Sequence, residues 1–377
     1  MKKATVSDIT SVMEKIAPQK LAEKWDNVGL QLGAASNLVK KIRIALDPSC
    51  SVINKACKDN IDMLIVHHPL IFTPLKHIRE DTAFGKSIYN AIKNNLAIFV
   101  AHTNLDKAKN GLNDLLAEKI GLKSIKIFGP KQESEYVKLA LFAPEEFEEK
   151  LLNSLFEISD FQIDNYSCCS FRNYGTGTFT PHKNAKPFIG EADKLSNVKE
   201  VKIEAIIEKE KISEIIASLK SAHPYETMAY DIYPLYGSSF ENGLARQGEL
   251  KKPETLYNLA RNIKEKLKLS HLKYCGKPDI KVKKGAICAG SGSSLMKYFL
   301  KSDADVYITG DVRYHDAKDA ENNGRAIIDI GHFGSEIIIT KELTKRLSKL
   351  LAQTEFDINV EACNSEEEPF KTIGYNK

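Results

Sequence analysis

At 377 residues the chain exceeds one typical domain and predicts two or three. Its 54 basic and 50 acidic side chains leave a net charge of only +4, and no Lys/Arg block is interleaved with aromatics, which weighs against a nucleic-acid face. The hydrophobic share of 42% suits a packed core, and no apolar run reaches the ~18 residues of a membrane span. Lys2 and Lys3 precede no apolar h-region, so no signal peptide is expected. Seven cysteines, an odd number without CxxC spacing, read as buried reduced thiols of a cytoplasmic protein, the pair Cys168-Cys169 included.

In chain order, residues 5–24 carry apolar positions at helical spacing and are interrupted near Pro18. Trp25-Asp26-Asn27-Val28-Gly29-Leu30 follows, either a turn into a core strand or a loop that sets the Asp26 carboxylate beside a site. The run Ile42–Asp47 predicts a strand, with Asp47-Pro48-Ser49 starting the helix 51–60 and Asp47 as its cap. Next, Met63–Val66 is four apolar residues bounded by Asp62 and by His67-His68-Pro69, the pattern of a fully buried parallel strand. That β-α-β order implies a right-handed crossover. A helix over 81–94 leads to a strand over 96–101 that ends in His102-Thr103-Asn104-Leu105-Asp106. Asn110-Gly111 opens a further helix that runs to Gly121.

The pattern changes between Gly129 and Gln247. A strand at 136–142, a helix at 144–157, strands near 166–171 and 201–208, a helix at 212–222 and a strand at 228–235 give the β-α-β-β-α-β order of a ferredoxin-like unit. Phe128-Gly129-Pro130 and Tyr236-Gly237-Ser238-Ser239 flank it. The expected architecture is therefore α/β: a discontinuous domain of mainly parallel sheet over 1–128 and 248–377, carrying an α+β insert over 129–247. After 248 the alternation resumes with a helix at 256–267 and a strand at 285–289. The following loop, Gly290-Ser291-Gly292-Ser293-Ser294, is a tight turn or, with Arg313, a cradle for an anion. A strand over 305–309, a helix bearing Tyr314-His315-Asp316, and a strand over 325–330 ending in Gly331-His332 complete the series. The acidic tail 365–369 reads as solvated surface.

Ligands of open α/β sheets bind at the carboxyl ends of strands, and three apolar strands here end in His67-His68, His102…Asp106 and His332…Glu336. Adjacent histidines diverge along a strand and suit two ions better than one. His332 and Glu336, four apart, share a helix face. Imidazole and carboxylate without thiolate admit Zn, Mn, Fe or Ni. Three histidines and two carboxylates exceed the needs of one zinc and match a pair of divalent ions, which at ~3.5–4 Å separation generate hydroxide near neutral pH. His102 and His315 are then the candidates for proton transfer.

The stretches Trp25–Leu30, His67–Phe72, His102–Asp106, Thr309–Asp316 and Gly331-His332…Glu336, with Gly175–Pro181 and His223–Leu235 in the middle, resemble the NIF-three-like dinuclear-metal proteins, known as GTP cyclohydrolase I type 2 homologues. The resemblance covers essentially the whole chain. It implies metal ligands at His67, His68, Asp106, His332 and Glu336, a toroidal homohexamer, and an insert similar to PII and CutA-type domains. Thr227-Met228 departs from the family's pattern after His223-Pro224-Tyr225-Glu226, which bears on a ligand role for the insert and not on the metals. Three functions follow: a metal-dependent hydrolase of a nucleotide or other small anionic substrate, down to opening of the GTP imidazole ring; a protein that stores, delivers or senses metal; and a regulatory scaffold in which the insert meets a small effector.

Overall fold

Every side chain of the strand Met63–Val66 is buried, Met63 and Ile65 in one hydrophobic cluster and Leu64 and Val66 in another. A period-2 element with apolar residues at all positions must be covered on both faces, and each such burial contributes about 1.5–3 kcal/mol. The structure, a computed structural model, describes residues 2–130, 136–159, 162–163, 166–235 and 243–373. The chain divides into two compact units, Met1–Lys131 with Asn242–Lys377, and Gln132–Glu241.

The first unit holds two mixed sheets. One has the order Asn359–Ala362, Lys41–Ala45, Met63–Val66, Ala97–Val100, Gly29–Leu32, parallel except for the last, antiparallel strand. The other runs Lys273–Cys275, Ala326–Asp329, Val306–Gly310, Lys281–Ser291, Ala245–Thr255, Leu122–Phe128, with a parallel centre and antiparallel flanks. Between the sheets lie the helices Val6–Ile16, Leu112–Ile120, Leu256–Leu267 and Ile338–Leu351, whose apolar stripes join Ile44 and Phe99 of one sheet to Ile287, Ile308 and Ile328 of the other. The helices Cys50–Lys58 and Ala83–Lys93 cover the outer face of the first sheet. Met296–Lys301 and Tyr314–Asn322 lie on the outer side of the second, packing around Phe299 and Tyr307.

Local chemistry fixes the ends. Thr5 and Asp8 form a reciprocal capping box at the start of Val6–Ile16, which buries Val6, Ile9, Met13 and Ile16. Ser49, not Asp47, caps Cys50–Lys58 by accepting from Val52 N. The two lysine-bearing strands Leu122–Phe128 and Ala245–Thr255 have no apolar run to announce them. They are joined as antiparallel neighbours, Phe128 opposite Ala245. Arg246, buried, pairs with Asp114 and donates to Lys107 O at 3.1 Å, fixing the segment that carries Asp106.

The second unit is a four-stranded antiparallel sheet in the order Ser170–Phe179, Ser196–Glu208, Tyr136–Pro144, Tyr230–Pro234, with the helices Glu148–Phe156 and Ile212–Ala222 packed on it. That is the β-α-β-β-α-β order of a ferredoxin-like unit. Ser170–Phe179 continues well past residue 171, paired over its whole length with Ser196–Ala205; as an exposed edge strand without hydrophobic alternation it leaves no pattern that marks its end. The segment 236–239 lies outside the described residues. The cysteine expectation is corrected: Cys57, Cys288 and Cys363 are buried, Cys50, Cys169 and Cys275 are half-buried, and Cys168 is exposed in a left-handed turn with φ 55°.

Candidate metal centre

Parallel register sets the level of the site. Val66 pairs with Ala45 on one side and Val100 on the other, so His67-His68, Asp47 and His102 emerge at one end of the first sheet. In the second sheet Ser291 pairs with Gly310, and Thr309 with Asp329, which brings Gly290, Asp311 and His332 to the same kind of edge. The two edges meet: His68 Nε2 and His332 Nε2 are 3.3 Å apart. Asp106 comes from the short helix Thr103–Lys107, and Glu336 from the helix His332–Glu336.

Each imidazole is held by its Nδ1. His67 Nδ1 faces Ala101 O at 2.9 Å, His68 Nδ1 faces Asp47 Oδ1 at 2.7 Å, His102 Nδ1 faces Asp26 Oδ1 at 2.8 Å, and His332 Nδ1 faces Asp311 Oδ2 at 2.7 Å. Carbonyls and carboxylates only accept, so the Nδ1 protons are committed and the four Nε2 atoms are left for the centre. His68 Nε2 lies 2.9 Å and His332 Nε2 3.2 Å from Glu336 Oε2, while His67 Nε2 is 3.7 Å from Asp106 Oδ1 and 3.8 Å from Glu336 Oε1. Among the described residues, two groups have ligand atoms close enough to share an ion: His67, His68 and His102, and His68, His332 and Glu336.

His67 Nε2 and Asp106 Oδ1 are buried without a hydrogen-bond partner among the described residues. Buried orphans of this kind are costly, and here they converge from two elements. Burial above all drives the His67 imidazolium down to about 3 and the Asp106 carboxyl well above its usual value, with the nearby Glu336 charge adding to the latter. Burial also opposes charge on His68, but its contacts with Asp47 and Glu336 outweigh that and raise it to about 10. His332 is raised to about 9, chiefly by its hydrogen bond to Glu336. Burial acts to raise Glu336 and Asp26 as well; hydrogen bonds from His332 and His68 hold the first low, and those from His102 and Thr103 bring the second to about 2. Protons and a divalent cation thus compete for the same nitrogens, and either offsets the carboxylates. The donor set fits a cation.

Gly290 is the wall of this centre. Its φ is +62°, and a Cβ there would lie 2.4 Å from Glu336 Oε1. The phosphate-cradle reading of its loop is corrected: Gly290 N donates to Ser335 Oγ and Gly292 N to Thr309 Oγ1, so neither amide is open to an anion. Ser291 is exposed at the end of its strand, and Ser293 Oγ donates to Asp316. Arg313 forms a two-point pair with that same Asp316, at 2.8 and 3.0 Å. His315 is exposed with its ring against Tyr314, and no contact among the described residues joins it to the cluster. His102, by contrast, sits inside the cluster as a candidate ligand. His223 is satisfied in a turn, its Nε2 facing Phe142 O and its Nδ1 accepting from Tyr225 N.

Three positioning carboxylates escaped sequence reasoning. Asp47 and Asp311 end parallel strands just as His67 does, so the strand-end rule applied to every strand would have found them. Glu366 had no such signal. It comes from the acidic tail and, rather than being merely solvated, accepts from Leu46 N at 3.0 Å and Asp47 N at 2.8 Å, bracing the residue that holds His68.

Among known proteins, the family model described as Duf34/NIF3 (NGG1p interacting factor 3) matches residues 4–369. A Bacillus subtilis protein named GTP cyclohydrolase 1 type 2 homolog is 37% identical over 362 residues, 96% of this chain and 97% of that one. A Bacillus cereus protein related to NIF3 superposes with a TM-score of 0.70 at 36% identity, covering 99% of this chain and 100% of the other. The Staphylococcus aureus protein SA1388 superposes at 0.75 with 30% identity and the same coverage.

Proposed function

The chain belongs to the Duf34/NIF3 family, and from that premise we propose that it binds two divalent metal ions and is a metal-dependent hydrolase of a nucleotide or related small anionic substrate. The observation that carries the reading is the pair of three-ligand groups that share His68, lined by orphaned buried atoms of His67 and Asp106. His67, His68, Asp106, His332 and Glu336, with His102 beside them, would hold the two ions. Zn, Mn, Fe and Ni all suit imidazole and carboxylate donors.

Two divalent ions held there would supply a water acidified to near-neutral pKa and a clamp for developing negative charge. The chain's own part is to orient and to exclude. Asp26, Asp47 and Asp311 fix the ring planes of His102, His68 and His332 through Nδ1. The close-packed wall at Gly290 keeps Glu336 from turning away. The relatives' name, GTP cyclohydrolase 1 type 2 homolog, supports a purine nucleotide as the first substrate to try. A toroidal homohexamer, implied by the family resemblance, is part of the same proposal, as is a cytoplasmic location. Sedimentation reads the former.

The deciding experiment loads the protein separately with Zn, Mn and Fe and screens GTP, other nucleotides, phosphodiesters and small amides. Turnover that disappears in Asp106→Ala is expected. Activity persisting at full rate in both Asp106→Ala and Glu336→Ala identifies a contaminant and overturns the hydrolase reading. Two bound metals with no turnover across the screen leave a metal-handling protein.

A further inference from the structure

The single tryptophan of the chain, Trp25, stands at the mouth of the histidine cluster with 59% of its surface exposed. Its ring centroid is 6.2 Å from that of His102, which is itself 5.2 Å from His67 and 5.6 Å from His68. Phe72, also mostly exposed, lies 6.0 Å from Trp25 on the other side. Both neighbours meet the indole at steep angles, 74° and 64°, so neither stacks on it. Singly exposed aromatics are ordinary on a surface, whereas here two lie side by side at the edge of the ligand cluster, the kind of apolar patch that marks a binding site.

The pair is also built to stay in place. Asn27 Nδ2 donates to Ile71 O at 2.6 Å, and Ile71 N donates to Gln31 Oε1 at 2.7 Å, which staples the Trp25 loop to the Phe72 loop. The next residue, Asp26, is anchored on His102 and Thr103. A loop fixed in this way presents its indole to a flat ring at lower ordering cost than a loose one.

We propose that Trp25, with Phe72, is the recognition platform for a planar nitrogen heterocycle of the nucleobase class, stacked beside His102 so that the ring enters next to the metal ligands. The proposal deepens the hydrolase reading and rests on it for the ring's orientation toward the centre. Carboxylate–imidazole contacts position the ligands; the aromatic pair selects what approaches them. A substrate without such a ring has no partner for this surface.

Trp25 is its own probe. With excitation near 295 nm, where the base absorbs little, guanosine monophosphate should quench the emission of the full-length, metal-loaded protein, and ribose 5-phosphate should not. By calorimetry, Trp25→Ala should weaken guanosine monophosphate binding by about tenfold or more, as loss of one base–aromatic stack does, while Trp25→Phe retains most of it. Metal content is measured on every sample. Equal binding of ribose 5-phosphate, or wild-type affinity in Trp25→Ala, overturns the proposal. So does Trp25→Ala losing its metal, because the residue then acts only through Asp26 and His102. An indole that acrylamide cannot reach in the purified protein overturns it as well, a second copy then covering the ring. Wild-type protein that holds no metal yet is quenched by guanosine monophosphate supports the platform and overturns the metal reading alone.

Discussion

Two residues that touch no substrate control the centre. Asp26 holds His102 by its Nδ1 and is itself hydrogen-bonded by Thr103. Its replacement by Ala frees the ring, and outer partners of this kind are worth about 10–100-fold in metal affinity. Competition against a chromophoric chelator should show that loss with the circular dichroism unchanged. Gly290→Ala acts differently. The new Cβ meets Glu336 Oε1 and must also adopt φ +62°, a conformation that costs an L-residue about 1–2 kcal/mol. Reduced metal content together with a lower melting temperature is the expected result; full metal content would show that Glu336 has room to retreat.

At the scale of elements, the capping box and the acidic tail give a contrast. Thr5→Ala removes the side chain that accepts from Asp8 N and costs about 1 kcal/mol, seen as a small drop in melting temperature with metal binding untouched. Glu366→Ala should do the reverse. It releases Leu46 N and Asp47 N, loosens Asp47 and so His68, and weakens metal binding several-fold while thermal stability of the metal-free protein barely moves. Equal metal affinity in Glu366→Ala and wild type would leave the tail with no part in the centre.

Across the molecule, charge and connectivity yield the remaining expectations. His68 at about 10 and His332 at about 9 both lie above the ordinary 6.5. Groups raised in the folded state stabilise it fully below pH 6.5, and that contribution is lost as pH rises through 9–10. With chelator present, melting temperature should therefore fall between pH 7 and 10. An entering cation must displace these protons, so metal affinity should rise with pH by about tenfold per unit for each proton released, flattening above about pH 10. A pH-independent affinity would exclude these two nitrogens as ligands. Connectivity offers a separate test: because Phe128 and Ala245 are strand partners, residues 130–243 can be replaced by a short Gly/Ser turn. The product should fold and bind metal. A cut at residue 248 would instead remove Arg246 and strand its partner Asp114.

What the sequence determined by itself was the strands whose faces are both apolar and the polar residues that end them, because burial on two sides leaves an unmistakable run such as Met63–Val66. The ligand candidates His67, His68, Asp106, His332 and Glu336 were legible for that reason, and so was the β-α-β-β-α-β order of the middle segment. Tertiary structure alone decided the rest. The lysine-rich strands Leu122–Phe128 and Ala245–Thr255 are held by their neighbours' backbone, which no side-chain pattern encodes. His102 became a candidate ligand once parallel register set it beside His67 and His68, and His315 an exposed residue once its helix packed on the outer side of the second sheet. Glu366 reaches Leu46 and Asp47 across about 320 positions of chain, and Asp26 reaches His102 across 76. Such long-range partnerships are set by packing of distant elements; the sequence offered the Asp26 carboxylate as one of two readings of its loop, and for Glu366 it carried no trace.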